Sequence, residues 1–417
     1  MSKTVAILGT LDTKEGEIRY VRDLIEKLGH KTIVIDGGIL GQPSFLPDIS
    51  NEQVAQAAGT TLEQVIALGH EGKAIAVMAQ GASRIVQHLY AGGRLNGIIA
   101  LGGTMGTSLG LAAMRDLPVG VPKLMVSTIA FTPFITADAV GKDQMMLQPA
   151  ADLWGLNVIT RAALEAAAGA IAGMVNTYRP IVSTKPLVGV TTRGVCRYLN
   201  WIKLLLEERG YEVTVFHAVG LGGRTFESLI GQGLFDAVLD LTTGELIEDL
   251  CGGVCSAGPE RLEAAGRLGI PQVVAPGCME FWNLVGKPEA MPSQLKERKI
   301  HQHNPLVLCV KATREEMIEA AKAMAGKLNK ARGPVAIAIP LRGFDELDKE
   351  GGPFYDPETD SAFIEVLKKH IDSRIKVVEL DVHINDQEFA KAVVAVFDEV
   401  MGSRGGKSKG KGRRRLE

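Results

Sequence analysis

Apolar positions along the chain fall into short continuous runs separated by longer amphipathic stretches. Thr4-Val5-Ala6-Ile7-Leu8-Gly9 is an unbroken run closed by glycine, the pattern of a parallel strand covered on both faces. From Glu15 to Leu28 the apolar residues Ile18, Val21, Leu24, Ile25 and Leu28 recur at helical spacing, and Gly29 follows as a C-cap. Residues 31–35 predict a second strand, closed by Asp36-Gly37-Gly38, so the chain opens on a βαβ unit with a right-handed crossover. Helical patterns over 52–58 and 62–89 follow a polar stretch with Pro43 and Pro47. Strands are expected at 97–101 and 123–126, a helix at 107–115, a loop-rich region to Asn157, and an alanine-rich helix at 162–178.

Pro180 and Pro186, in a polar setting, mark a domain boundary. The rhythm then restarts. Strands are predicted at 187–191, 212–216, 237–241, 272–275, 306–309, 335–340 and 376–380. The intervening helices are predicted at 195–208, from Phe226, at 261–268, 315–328 and 387–400. Strands alternating with helices predict an α/β fold: two Rossmann-like domains, 1–180 and 181–401, each a mainly parallel sheet with helices on both faces.

Composition changes this picture little. At 417 residues, 46% of them apolar, the chain has enough material for two cores. The net charge of −2 hides an uneven distribution, because Arg404, Lys407, Lys409, Lys411, Arg413, Arg414 and Arg415 crowd the last stretch. That tail, 402–417, is expected to be disordered, and the body is mildly acidic, which argues against bulk nucleic-acid binding. Five cysteines without a CxxC spacing predict no disulfide framework and a reducing, cytoplasmic setting. No N-terminal signal and no apolar run long enough to span a bilayer are expected.

The candidate chemistry lies at strand ends, where open parallel sheets bind ligands. The first four strands of the N-terminal half end in Gly9-Thr10-Leu11-Asp12-Thr13-Lys14, Asp36-Gly37-Gly38, Gly102-Gly103-Thr104-Met105-Gly106-Thr107-Ser108 and Ser127-Thr128. The glycines would let backbone approach a bulky anion, and a helix opening at Thr104 would offer amides and its dipole to phosphate. Thr104, Thr107 and Ser108 would add hydroxyls, and Lys14 a point charge. Asp12 would meet Mg²⁺ through water or cap the helix at Glu15, and Asp36 would bind a ribose hydroxyl. The motif is neither GxGxxG nor a P-loop.

These four loops resemble the ATP-binding family typified by the N-terminal domain of the tomato mosaic virus resistance protein, which has many bacterial members. The resemblance continues through Gly155-Leu156-Asn157, Gly169-Ala170-Ile171-Ala172-Gly173-Met174 and Ser256-Ala257-Gly258-Pro259-Glu260-Arg261-Leu262. It extends to His301-Gln302-His303-Asn304-Pro305 and Gly352-Pro353-Phe354-Tyr355-Asp356-Pro357. It implies ATP held by the first of two Rossmann-like subdomains, and self-association. One departure stands at Ile129-Ala130-Phe131-Thr132-Pro133-Phe134, where a glycine-containing loop is expected, so the two phenylalanines should reshape the nucleotide pocket.

The second domain has its own polar strand ends, at Thr191-Thr192-Arg193-Gly194, Thr242-Thr243-Gly244-Glu245, Pro276-Gly277-Cys278-Met279-Glu280 and Pro340-Leu341-Arg342-Gly343. If they share one edge, Glu245, Arg342, His301 and His303 would converge on an acidic small molecule. Arg342 or Arg193 would then clamp a carboxylate or phosphate, and Glu245 or a histidine would move protons. A metal held by His301 and His303 with Cys278 or Glu280, and a Cys278 nucleophile, are further readings. Three functions compete: an ATP-dependent enzyme with Mg²⁺ and an organic acid or phosphate in the cleft between the domains, an ATP-binding regulator without turnover, and an enzyme using a dinucleotide. Unpaired polar groups in the second domain would favour turnover, because burying them costs free energy unless a ligand meets them.

Overall fold

The computed structural model describes residues 2–41, 43–136, 139–140, 142–402 and 414–415. Most of the basic tail, 403–413 and 416–417, lies outside the described residues. The chain forms two compact units, one up to Ile181, which Arg415 joins, and one from Val182 to Arg414.

In the first unit, β1 (Thr4–Gly9), α1 (Leu11–Lys27) and β2 (Lys31–Asp36) make the expected βαβ opening. Then come α2 (Asn51–Ala58), α3 (Leu62–Ile66), α4 (Glu71–Ala91), β3 (Gly97–Gly102), α5 (Thr104–Arg115), β4 (Lys123–Ser127), β5 (Met145–Leu147) and α6 (Val158–Thr177). The strands form one parallel sheet in the order β2-β1-β3-β4-β5. Alternation along each strand builds two cores. Ala6, Leu8, Ile98, Ala100 and Met125 pack under α2, α4 and α5, while Val5, Ile7, Ile99, Leu101 and Val126 pack under α1 and α6. Each fully buried aliphatic side chain of this kind contributes about 1.5–3 kcal/mol.

Three expectations are corrected here. The helix predicted over 62–89 is broken at Gly69, which takes a left-handed φ of 59°, and His70 then caps α4 by accepting from the Gly72 and Lys73 amides. The helix predicted from Glu15 is preceded by an unforeseen turn that starts at Leu11, whose amide donates to the Asp36 carboxylate, with non-helical backbone at Lys14 between them. Contrary to the expected lack of a spanning run, α6 is long and apolar enough to cross a membrane by composition, yet its Leu164, Ala168, Ile171 and Val175 face is core.

A two-residue strand, β6 (Val182–Ser183), opens the second unit. It continues with β7 (Leu187–Thr192), α7 (Leu199–Glu208), β8 (Glu212–His217), α8 (Leu221–Gly231), β9 (Ala237–Thr242), α9 (Glu245–Cys251), α10 (Ala264–Leu268) and β10 (Gln272–Gly277). Then come β11 (Phe281–Val285), β12 (Ile300–Asn304), β13 (Val307–Lys311), α11 (Arg314–Leu328), β14 (Val335–Pro340), α12 (Pro357–His370), β15 (Lys376–Leu380) and α13 (Gln387–Gly402). Six strands form a parallel sheet, β15-β14-β10-β9-β7-β8. The strand predicted at 306–309 is β13, which belongs to a separate antiparallel sheet, β11-β13-β12, and not to the parallel one. Helix α12 was not expected, although Asp356 caps it and Pro357 occupies its first turn.

Candidate functional site

In the first unit, β2 lies on one side of β1 and β3 on the other. The chain after β1 and the chain after β3 therefore diverge at a switch point, where sheets of this class take their ligands. Helix α5 starts there. Its N-cap is Gly103, and no side chain among the described residues caps its first turn. Thr104 and Met105 are exposed at that end.

The glycines around this point do different jobs. A Cβ at Gly9 would meet Ile18 Cδ1 at 2.7 Å, one at Gly102 would meet Gly106 Cα at 2.8 Å, and one at Gly106 would meet Leu101 O at 3.1 Å. A Cβ at Gly37 would overlap Leu109. These four glycines allow helices α1 and α5 to lie close on the sheet. Gly103 alone among the proposed phosphate-loop glycines faces free space, with only Thr128 Oγ1 at 3.8 Å.

Several polar residues expected to hold ligand are occupied by the protein. Asp36 is buried and its Oδ1 accepts from the amides of Leu11 (3.0 Å) and Gly38 (2.8 Å), so it caps α1 instead of offering itself to a ribose. Burial pushes its carboxyl up, while those two amides pull it back. Asp12 Oδ2 accepts from Ile39 and Leu40, both at 2.9 Å, and so fixes the loop after β2. Lys14 is buried, donates to the Leu153 carbonyl and lies 5.3 Å from the centre of the Trp154 ring, which corrects its expected role as a phosphate cation. Thr107 and Ser127 are buried and share a 2.7 Å hydrogen bond, and Ser108 bonds back to the Thr104 carbonyl. Thr104 is left exposed beside the first amides of α5, Thr128 is half-buried, and the half-buried Thr10 shares a 2.9 Å hydrogen bond with Thr13.

Phe131 and Phe134 are 75% and 76% exposed, so their rings are not spent on packing. A groove of about 850 Å³ runs between α4 and α5, lined by Ile75, Ala79, Thr104, Met105, Ser108 and Ala112. Helical periodicity marks which positions face the core, but not where two helices part, so the sequence holds no signal for it.

In the second unit the corresponding switch point lies between β7 and β9. It is filled. Glu245, the first residue of α9, is fully buried, and its Oε1 accepts from the Gly220 and Gly223 amides at the start of α8. Its Oε2 meets Arg261 Nε at 2.6 Å. Arg261, also fully buried, forks onto Asp240 and reaches Glu227 Oε1 at 3.2 Å. Glu245 is thus the internal anion of a helix terminus, which corrects its expected role as a proton carrier. Arg193 is buried beside it, donating to the Ala218 carbonyl and to Glu248 at 3.2 Å. The pattern missed Arg261, although Asp240 inside an apolar strand was a signal that a buried cation had to be near.

The other expected catalytic residues have separate partners. His301 and His303 stand on β12; His301 packs edge-on to Phe354, with ring centres 6.3 Å apart, and His303 is exposed. Arg342 is exposed and holds Asp381 through two hydrogen bonds of 2.8 and 3.0 Å. It borders an open groove of about 650 Å³ with Arg197, Trp201, Lys349, Tyr355 and His383. Among the described residues, no three His, Cys, Asp or Glu side chains are grouped to hold a metal ion. Cys278 is fully buried and burial raises its thiol, which removes it as a nucleophile.

The comparisons with known proteins cover both units. The N-terminal domain of the Uncharacterised protein family (UPF0261) matches residues 3–180, and its C-terminal domain matches residues 185–401. A UPF0261 protein of Clostridium tetani is 44% identical over 94% of this chain and 98% of its own length. One from Brucella suis is 39% identical over 95% of each. The ToMV resistance protein Tm-1(GCR237) of Solanum lycopersicum is 33% identical over 96% of this chain and 56% of its own length. The chain therefore belongs to the UPF0261 family and carries both of its domains.

Proposed function

We propose that the first unit binds the phosphates of a nucleoside triphosphate, ATP, at the uncapped N-terminus of α5. The observation that carries this reading is the first turn of that helix, which opens on Gly103 at the β1/β3 switch point with no side chain among the described residues to cap it. Orphan amides and the helix dipole favour an anion there. Thr10, Thr104 and Thr128 supply hydroxyls, and Gly103 leaves the approach clear. With Lys14 engaged elsewhere, the charge of the phosphates falls to magnesium carried in with the nucleotide. The two amide bonds of Asp12 both use Oδ2, which leaves Oδ1 to meet a hydrated ion. The resemblance of the four strand-end loops to an ATP-binding family favours ATP over other nucleotides, and Phe131 and Phe134 offer rings on which a base can stack.

In the enzyme reading, ATP drives transfer to, or ligation of, a small organic acid; the second unit's groove carries Arg197, Arg342 and Lys349, each paired with an acidic side chain that such an acid would have to displace. A second reading, an ATP-binding regulator without turnover, is favoured by the sealing of Glu245 against Arg261, because it removes the expected proton carrier. Calorimetry with ATP, ADP and NAD, with and without Mg²⁺, tests the binding reading: Gly103→Val should abolish ATP binding while the protein stays folded. Unchanged binding would sink the α5 site. Release of ADP on adding organic acids separates the enzyme from the regulator.

A further inference from the structure

Buried side-chain atoms without a hydrogen-bond partner gather in one place in the second unit. They include both carboxylate oxygens of Glu280, Lys311 Nζ, Asp345 Oδ2, Asp348 Oδ1 and Asp360 Oδ1. Glu280 sits in the turn between β10 and β11, Lys311 ends β13, Asp345 and Asp348 lie in the loop after β14, and Asp360 is in the first turn of α12. Glu280, Asp345 and Asp348 are fully buried, and Lys311 and Asp360 are 5% and 6% exposed.

The loop explains the orientation of its two aspartates. Asp345 Oδ1 accepts from the amides of Leu347 (2.7 Å) and Asp348 (3.2 Å), and Asp348 Oδ2 accepts from Phe344 (2.9 Å). Each aspartate spends one oxygen on the turn and turns the other inward, Asp345 toward Glu280 and Asp348 toward Asp360. Lys311 draws Glu280, Asp348 and Asp360 toward the charged form, but its amine bonds to none of them. Of the remaining groups around the cluster, the Cys278 thiol draws Asp345 toward the charged form, and the others do not relieve it. Asp356, the cap of α12, adds negative field at Asp360; the buried Cys278 thiol lies against Asp345, with Arg193 beyond it; His383 reaches only the Asp345 backbone carbonyl.

Facing carboxylates in a dry interior cannot both be charged, and a proton between them turns repulsion into an O–H···O bond. Burial accordingly pushes Asp348 up to about 6 and Asp360 up to about 9, and holds Glu280 well above the ordinary carboxylate range. We propose that Glu280–Asp345 and Asp348–Asp360 are shared-proton pairs that latch the 341–356 loop to the turn after β10 and to α12, and that the latch opens as those protons are lost on the alkaline side. The folded state binds these protons more tightly than the unfolded chain. Its stabilisation is therefore complete below the ordinary carboxylate values near about 4 and erodes as pH rises toward about 9. The same loop carries Arg342, Glu346, Lys349 and Tyr355 of the open groove, so the latch sets the shape of that groove.

Hydrogen exchange on the full chain, corrected for the intrinsic pH dependence of exchange, tests this. Protection of 341–356 should fall by about tenfold or more between about pH 6 and about pH 9, while the first unit's sheet keeps its protection. Asp360→Asn and Glu280→Gln, which keep a hydrogen-bond donor without a titrating proton, should each flatten that dependence. Flat protection in the wild type, or an unchanged slope in both variants, overturns the latch. Should the variants fail to fold, infrared spectra of the wild type decide: a protonated-carboxyl band present at neutral pH and lost on alkaline titration supports it. Absence of that band, or restoration of protection at alkaline pH by added Mg²⁺ or Ca²⁺, overturns it.

Discussion

The two switch points use the same sheet geometry to opposite ends. In the first unit the helix after β3 opens on Gly103 with its amides uncapped, and the polar residues nearby are tied back into the loops, which leaves the helix end exposed. In the second unit the helix after β8 receives the Glu245 carboxylate from within the chain, and Arg261 locks that carboxylate with Asp240 and Glu227. A helix N-terminus attracts an anion in either case. In the second unit that anion is a residue; in the first unit no side chain among the described residues takes its place.

The strongest way to break this comparison is to unlock the second unit. Arg261→Met should leave three buried carboxylates without their cation and cost about 3–5 kcal/mol, seen as loss of the second unit's urea transition. A cost under about 1 kcal/mol would mean that the network does not hold the switch point closed. Next comes the glycine contrast in the first unit. Gly102→Ala should cost about 1–3 kcal/mol in thermal unfolding, because its Cβ falls 2.8 Å from Gly106 Cα. Gly103→Ala, whose Cβ has open space, should stay within about 0.5 kcal/mol of the wild type while ATP affinity drops. Equal costs would erase the distinction between packing and approach glycines. Lys14→Met should lower stability by about 1 kcal/mol through loss of its bond to the Leu153 carbonyl, with ATP binding by calorimetry unchanged. A selective loss of ATP binding would return Lys14 to the phosphate site. The smallest effect belongs to Arg342→Ala: its exposed pair with Asp381 should leave the melting temperature where it is, so that any loss of organic-acid binding reads on the groove alone.

Much of the fold was legible because burial dictates periodicity. Val5 and Ile7 face one core while Ala6 and Leu8 face the other, which is why an unbroken apolar run announces a parallel strand with helices on both sides. Helix α12 was missed, although Asp356-Pro357, the helical spacing of Phe363 and Leu367, and the basic last turn of Lys368, Lys369 and His370 mark it. The antiparallel sheet was not legible. His301 and His303 alternate as on any strand, and nothing local says whether the partner is β13 or a parallel neighbour.

The sequence by itself determined the α/β class, the two successive sheets and the concentration of glycine and polar residues at strand ends, since each follows from local spacing. It also marked the residues that carry kinship to the UPF0261 family. Only the tertiary structure decided what those strand-end residues do. A glycine before a helix reads the same whether it admits a helix, as Gly102 does, or leaves open space, as Gly103 does. An aspartate at a strand end reads the same whether it meets a ligand or, like Asp36, caps the preceding helix. The reason is physical: spacing along a chain specifies which face a residue takes, whereas its partner is set by whatever distant segment packs against that face.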